Sequence, residues 1–137
     1  MDYRKEYEKW LASPALSEDE RAELKALEGN DKEIKARFYG PLEFGTAGLR
    51  GTMYTGLHNM NRHVIRWATQ GFANVIRAEG TEAMQKGVAV CMDCRNHSTE
   101  FARETACVMA ANGIHVRLFE SLRPTPELSF AVREYGC

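Results

Sequence analysis

The 137-residue sequence predicts an α/β fold: a three-layer domain with a mixed, mainly parallel sheet between helices, preceded by an N-terminal helical extension. Three observations lead to this fold class. The first forty residues carry charged amphipathic segments with helix-capping signals, a glycine-rich stretch follows them, and residues 87–137 alternate short apolar runs with helical patterns. Strands and helices that alternate with short connections favour parallel strands joined by right-handed crossovers.

The N-terminal extension, residues 1–40, is predicted to form helices that cover a sheet face or make an interface. An apolar stripe at helical spacing indicates the first helix: Tyr3, Tyr7, Trp10 and Leu11. Ser17, with Glu20 three positions later, is a capping box that opens a second helix. Asn30 and Glu33 can do the same for a third helix, and Gly40-Pro41 closes the extension. We expect residues 41–137 to form the α/β domain.

The stretch "LEFGTAGLRG", residues 42–51, follows the extension and carries glycines at every third position. Gly45 and Gly48 suggest backbone that bends sharply or approaches a ligand closely. Arg50 and the hydroxyl of Thr46 stand among these small residues, and a guanidinium beside bare N–H groups is well suited to binding a phosphate or a carboxylate. A tight turn with a surface arginine would give the same spacing, so both interpretations stay open.

The second half of the chain is predicted to hold three helices and two strands. The helix-start signals are Asn61, Ser98, and Thr125 followed by Pro126, and the stop signals are Gly80, Asn112-Gly113 and Gly136. Residues 87–92, "GVAVCM", and 114–119, "IHVRLF", have the apolar, β-branched composition of buried strands. One or two further strands are expected within residues 42–56.

Two arginine-bearing loops follow these strands, "DCRNH" (93–97) with Arg95 and "SLRPT" (121–125) with Arg123. Open α/β sheets bind ligands beyond the carboxyl ends of their strands, and a helix N-terminus there favours an anion. Together with Arg50, these loops give three arginines that the topology can bring to one edge. Each arginine taken alone is better explained by a surface or structural role.

Composition excludes several classes of partner. Eighteen basic against nineteen acidic residues leave a net charge of −1, so neither a nucleic-acid surface nor a membrane surface is indicated. No signal-peptide-like or membrane-spanning apolar run is present, and the four cysteines are expected to be free thiols of a cytoplasmic protein. Cys91 and Cys94 have C-x-x-C spacing with His97 nearby, but Cys91 lies in an apolar strand and is interpreted as core.

Four linked motifs resemble one enzyme family. They are "EFGTAGLRG", "NMNRHVIRWATQGFANVI", "VCMDCRNHSTEFARETACVMAANGIHVRLF" and "RPTPELSFAVREYGC". Together they are similar to the first domain of the α-D-phosphohexomutases, in particular the phosphoglucomutase and phosphopentomutase branch that carries an N-terminal helical extension. The resemblance implies an intramolecular phosphotransferase, an isomerase, that moves a phosphoryl group between the C1 and C6 oxygens of a hexose. It also implies a phosphoserine with Mg²⁺ and a sugar bisphosphate intermediate or activator.

The resemblance also implies roles for individual residues. Thr46 and Arg50 match family residues that face the active site, with Arg50 near the phosphoserine and the transferring phosphoryl group. Asp93 and Arg95 match a strand-end Asp-x-Arg that shapes the domain, and Arg123 matches the turn that leads toward the catalytic strand. The family's phosphoserine loop, of the type T-A-S-H-N-P, and its metal-binding aspartates have no counterpart in these 137 residues.

Two hypotheses follow. The first is the N-terminal part of a sugar-phosphate mutase, inactive by itself, and the second is a non-catalytic α/β module that binds a phosphorylated ligand or a partner chain. The final helix is expected to leave a sheet edge unpaired, so self-association through that edge or through the N-terminal helices is also predicted.

Overall fold

The computed structural model describes residues 2–46 and 48–137, which form two compact units, Met1–Val64 and Ile65–Cys137. The first unit begins with three helices, α1 (Tyr3–Leu11), α2 (Glu18–Lys25) and α3 (Asp31–Phe38). A hairpin of two short strands follows, β1 (Phe44–Gly45) and β2 (Gly48–Leu49). The long helix α4 (Arg62–Ala78) begins in the first unit and continues into the second.

The N-terminal helices are present, with the caps that their sequence predicts. Ser17 and Glu20 form a complete capping box at the start of α2. The side chain of Asn30 accepts a hydrogen bond from the amide of Glu33, but Glu33 does not return it, because its carboxylate binds Arg37 instead. Asp2 also caps α1, which the sequence analysis did not predict.

The core of the first unit lies among these helices and the loop that follows the hairpin. Its buried residues are Leu16, Leu24, Leu27, Ile34, Phe38 and Leu57. The predicted stripe of α1 packs against them, and Tyr7 and Trp10 both meet the ring of Phe38 edge-on, at centroid distances of 5.6 and 5.7 Å. Edge-to-face pairs of this kind stabilise a core beyond the apolar area that they bury.

The second unit continues with α5 (Thr81–Lys86), β3 (Val88–Val90), α6 (Ser98–Ala111), β4 (Val116–Leu118) and α7 (Thr125–Tyr135). β3 and β4 pair in parallel, as predicted, with Val88 opposite Val116. Helix α6 packs against both strands and α7 packs against β3. Ala73, Met109 and Ile114 form the buried centre of this unit.

The observed fold is a mostly helical α/β arrangement with short strands, which confirms the fold class only in part. Within the described residues the strands form two separate two-stranded sheets, and a three-layer sheet is not evident. Strands of two or three residues present too few backbone groups to build an extended sheet. The side chains of β3 are half-buried rather than buried on both faces.

Three local expectations need correction. The hydroxyl of Ser98 does not cap α6, because it accepts a hydrogen bond from the amide of Asp93, and His97 in the left-handed region is the N-cap. Thr125 is the first residue of α7 rather than its cap, since Pro124 takes the extended cap position. Helix α5 was not predicted.

Candidate functional site

The hairpin β1–β2 carries the predicted site residues of the first unit. Phe44 pairs with Leu49 and Gly45 with Gly48, so Thr46 lies at the exposed tip. Gly48 has a φ of +93°, a conformation that side-chain-bearing residues rarely adopt and that the tight turn requires.

Arg50 follows the hairpin and its side chain folds back over it. The Nη2 atom lies 3.4 Å from the position that a Cβ would occupy on Gly45. Arg50 is exposed, and within residues 2–46 and 48–137 no carboxylate lies close enough to form an ion pair with it. A guanidinium without a carboxylate partner, beside bare glycine backbone, can donate several hydrogen bonds to an anion.

In the second unit, Asp93 and Arg95 form a closed local motif. Asp93 Oδ1 accepts from the amide of Arg95 at 3.1 Å and Oδ2 accepts from its Nε at 2.7 Å. The hydrogen bond from the amide of Arg95 is the main influence that lowers the pKa of the Asp93 carboxyl. Because Asp93 already holds the guanidinium of Arg95, this pair shapes the loop and is poorly suited to binding an anion.

The loop of Arg123 lies beside the loop of Asp93. The amide of Arg123 donates to the carbonyl of Met92 at 2.9 Å, so the structure brings together the two predicted strand-end loops of this unit. Arg123 itself pairs with Glu127, with Nε 3.3 Å from Oε1. The convergence of Arg50 with Arg95 and Arg123 at one edge stays a prediction.

A cavity of about 370 Å³ opens beside Arg123, at the end of β4 and along α7. Three carboxylates line it, those of Glu120, Glu127 and Glu134. Negative charge around the opening disfavours a phosphate there. The opening beside Arg123 is therefore a poor candidate for an anion site.

The remaining chemistry-bearing side chains have structural surroundings. All four cysteines are free, and burial is the main cause that raises the pKa of the Cys91 thiol, which keeps it protonated and unreactive. Among the described residues no group of three or more His, Cys, Asp or Glu side chains could hold a metal ion. The Nε2 atom of His63 donates to the carboxylate of Glu20 at 3.1 Å and the ring meets Trp10 edge-on, so His63 is part of the packing.

Sequence reasoning missed one group of polar residues in the first unit. Arg37 on α3, Glu23 on α2 and Thr55 in the loop after the hairpin form a hydrogen-bonded network, although Glu23 and Arg37 are distant from Thr55 in sequence. Only one contact of Arg37 could have been predicted from the sequence. Glu33 lies four positions before it, a spacing that suits an i,i+4 ion pair on a helix.

The chain matches the family described as phosphoglucomutase/phosphomannomutase, alpha/beta/alpha domain I, over residues 41–137. It belongs to this family. The match includes the hairpin with Thr46 and Arg50 and both strand-end loops of the second unit. It confirms the resemblance that the four sequence motifs indicated.

Characterised relatives agree with this membership. The chain is 39% identical to the phosphopentomutase of Homo sapiens over 111 residues, which cover 77% of this chain and 18% of that protein. It is 34% identical to the phosphopentomutase of Mus musculus over 130 residues, covering 90% of this chain and 21% of that protein. With the phosphoglucomutase of Staphylococcus aureus strain USA300 it shares 38% identity over 104 residues, 76% of this chain and 18% of that protein.

The chain therefore spans about a fifth of the length of these relatives. No solved structure matches it. Within the described residues, no helix combines the length and the apolar composition that crossing a bilayer requires.

Proposed function

We propose that this chain is the N-terminal part of a phosphoglucomutase-like intramolecular phosphotransferase of carbohydrate metabolism. The complete enzyme would interconvert hexose 1-phosphate and hexose 6-phosphate through a phosphoserine. Family membership over residues 41–137 supports the reaction class, and relatives named phosphoglucomutase and phosphopentomutase support a sugar phosphate as substrate. The observation that carries the proposal is the exposed guanidinium of Arg50 against the bare backbone of Gly45.

Arg50 is the proposed catalytic residue. Negative charge redistributes over the phosphoryl oxygens as the group transfers, and a fixed guanidinium stabilises that charge most strongly in the transition state. The hydroxyl of Thr46 is proposed to donate a hydrogen bond to the same phosphate. Gly45 and Gly48 allow the phosphate to approach the backbone, while Asp93, Arg95 and Arg123 support the neighbouring loops.

The complete enzyme is proposed to use Mg²⁺ and a sugar bisphosphate. Magnesium would neutralise phosphate charge, but the described residues offer no cluster of ligands for it, so the roles assigned here do not depend on a metal. Residues 1–40 are proposed to be a helical extension, and residues 41–137 the first part of a three-layer domain of a cytoplasmic enzyme. Self-association through a sheet edge or the N-terminal helices belongs to the same proposal.

The deciding experiment is to sequence the transcript beyond the codon of Cys137. A loop of the type T-A-S-H-N-P encoded within about ten residues would support the mutase, since the Arg123 turn leads toward that loop in the family. A stop codon directly after Cys137 would overturn it and favour a non-catalytic module that binds a phosphorylated ligand or a partner chain.

A second experiment tests the anion site directly. Inorganic phosphate is titrated into the ¹⁵N-labelled chain, and we expect the amides of residues 45–51 to shift in the wild type. Arg50→Ala should abolish these shifts, and Arg103→Ala, which changes an exposed arginine on α6, should preserve them. Shifts confined to other residues would contradict the role of the hairpin.

A further inference from the structure

We infer that the N-terminal helices position Arg50 through a hydrogen-bonded network of Arg37, Glu23 and Thr55, and that Thr55 and Glu23 are positioning residues for the proposed phosphate site. This inference rests on the proposed function. It assigns to the helical extension a task beyond covering a sheet or making an interface.

The network begins with a buried arginine on α3. Only 7% of Arg37 is exposed, and its Nε lies 3.0 Å from Glu33 Oε1. Its Nη1 binds the carboxylate of Glu23 on α2 and also donates to the carbonyl of Thr55 at 3.4 Å. A buried guanidinium is costly unless its donors are satisfied, so these partners hold it in one geometry.

Glu23 links the two helices to the loop after the hairpin. Its carboxylate accepts from the hydroxyl of Thr55 and, at 3.3 Å, from the amide of the same residue. Thr55 is 4% exposed, and the ring of Tyr54 lies under the guanidinium of Arg37 at 4.4 Å. The amide, the hydroxyl and the carbonyl of Thr55 are therefore all hydrogen-bonded to the helical extension.

The backbone of α3 also contacts this loop directly. The amide of His58 donates to the carbonyl of Arg37 at 2.9 Å. Gly56 has a φ of +146°, and a Cβ placed on it would lie 2.9 Å from the Cβ of Arg37. Only a glycine permits this approach, so the loop is seated on α3 at residues 55–58.

From there, contacts reach both ends of the hairpin. The amide of Leu42, just before β1, donates to the carbonyl of Leu57 at 3.2 Å. The amide of Met60 donates to the carbonyl of Thr52, just after Arg50, at 2.8 Å. A Cβ on Gly51 would lie 3.2 Å from Leu42, so the two ends are packed against each other.

The hairpin needs this support because it is too short to be stable by itself. Its strands have two residues each, and an isolated two-stranded hairpin is at best marginally stable in water. The position of Arg50 is therefore determined by how the chain is held at Leu42 and Thr52. Leu42 is hydrogen-bonded to Leu57, and Thr52 to Met60, and both partners belong to the loop that Glu23 binds at Thr55.

The test compares Thr55→Val, which removes the hydroxyl that Glu23 accepts from, with Thr55→Ser, which keeps it. Thr69→Val is the matched control, because Thr69 is also buried, at 8% exposed, and lies in the second unit. The ¹⁵N-labelled chains are titrated with inorganic phosphate, and hydrogen exchange is measured at the amides of Gly48, Leu49 and Arg50.

In Thr55→Val we expect about tenfold weaker phosphate binding at residues 45–51 and about tenfold faster exchange at those amides, because a hydrogen bond to a charged group is lost. Thr55→Ser and Thr69→Val should stay within about twofold of the wild type on both measurements. A merely structural role would lower the melting temperature, would speed exchange at core amides such as Leu24 as much as at the hairpin, and would leave phosphate binding unchanged at 25 °C.

The outcomes separate this inference from the proposed function. If the wild type binds phosphate at the hairpin and folded Thr55→Val binds equally well with unchanged exchange, the inference is overturned and the proposed site stands. If the wild type shows no shifts at residues 45–51, the proposed site fails, and exchange alone decides whether the network positions the hairpin. Should Thr55→Val not fold, Glu23→Gln replaces it, since an amide keeps one acceptor but removes the charge.

Discussion

The Nη2 atom of Arg50 lies 3.4 Å from the position that a Cβ would occupy on Gly45. The same position is 3.5 Å from the carbonyl oxygen of Gly48. A Cβ on Gly45 would therefore just touch the guanidinium, and a larger, branched side chain there would crowd it. Gly45 is therefore important because it has no side chain beside the guanidinium. Gly48 is important for a different reason, since the backbone there has a positive φ.

Gly45→Val is expected to weaken phosphate binding although Arg50 is retained. The branched side chain displaces the guanidinium, and the loss of a well-placed charged donor should lower the affinity for inorganic phosphate by about tenfold. The measurement is the phosphate titration by NMR, with the Nε–H signal of Arg50 as a local probe. Gly40→Val is the control, since a Cβ on Gly40 meets no atom within 4 Å. An unmoved Arg50 signal with wild-type affinity would contradict the packing argument.

In the complete enzyme that we propose, Arg50→Ala is expected to lower kcat far more than it raises the dissociation constant of the sugar phosphate. A group that meets charge developing only during transfer contributes to the transition state, and its loss corresponds to about 2 to 4 kcal/mol. Steady-state kinetics on glucose 1-phosphate measure this. Arg103→Ala, an exposed change on α6, is the control, and an unaltered kcat in Arg50→Ala would remove the catalytic role.

Phe38→Ala is expected to destabilise the first unit by about 3 to 5 kcal/mol, because Phe38 is fully buried and two aromatic rings pack on it edge-on. Phe72→Ala is the matched control. Phe72 is 56% exposed, so its removal should change stability by no more than about 0.5 kcal/mol. Urea unfolding followed by the fluorescence of Trp10 reports on the first unit, and equal midpoints for the two variants would contradict the assignment of the core.

Glu20 makes the first unit sensitive to acid. Burial raises the pKa of its carboxyl, but hydrogen bonds from the amide of Ser17 and from Arg62 and His63 outweigh burial and lower the pKa from 4.5 to about 2. The depressed pKa means that the folded state favours the ionised form. Its contribution to stability is fully present above about pH 4.5 and is lost as the pH falls toward 2.

We therefore expect Glu20→Gln to be less stable than the wild type at pH 7 and to lose less stability between pH 4.5 and pH 2. The measurement is the urea midpoint by Trp10 fluorescence at several pH values, in a Trp67→Phe background that silences the exposed second tryptophan. Glu18→Gln, an exposed change on the same helix, is the control. Parallel pH profiles for the wild type and Glu20→Gln would show that the hydrogen bonds to Glu20 do not matter.

Local signals in the sequence predicted local structure well. The Ser17–Glu20 capping box and the Asn112-Gly113 stop are satisfied by atoms within a few residues, and both are present. The stripe of α1 is also present, because helical spacing alone places its apolar residues on one face. The parallel pairing of β3 and β4 was also predictable, because a helix joins two short apolar runs.

Long-range polar partners could not be read from the sequence. Thr55 is 32 residues from Glu23, and no spacing rule connects a loop residue to a helix at that distance. The capping role predicted for Ser98 failed for a related reason, since Asp93 supplied an amide donor from the preceding loop. In the candidate site, the composition of the hairpin was predictable, but the fold of Arg50 over Gly45 depends on backbone geometry that composition does not determine.

Residues 1–137, purified alone, are expected to show no phosphoglucomutase turnover. Phosphoryl transfer by the proposed route needs a nucleophilic hydroxyl, neutralised phosphate charge and groups that hold the sugar. The described residues supply one arginine-bearing hairpin, no acidic cluster for a metal, and a serine at position 98 whose hydroxyl accepts from the amide of Asp93. A coupled assay on glucose 1-phosphate with magnesium and a sugar bisphosphate measures turnover, and Arg50→Ala protein prepared in parallel controls for contaminating host mutase. Turnover in the wild type that Arg50→Ala abolishes would show that these residues form a complete active site, for example in a self-associated form.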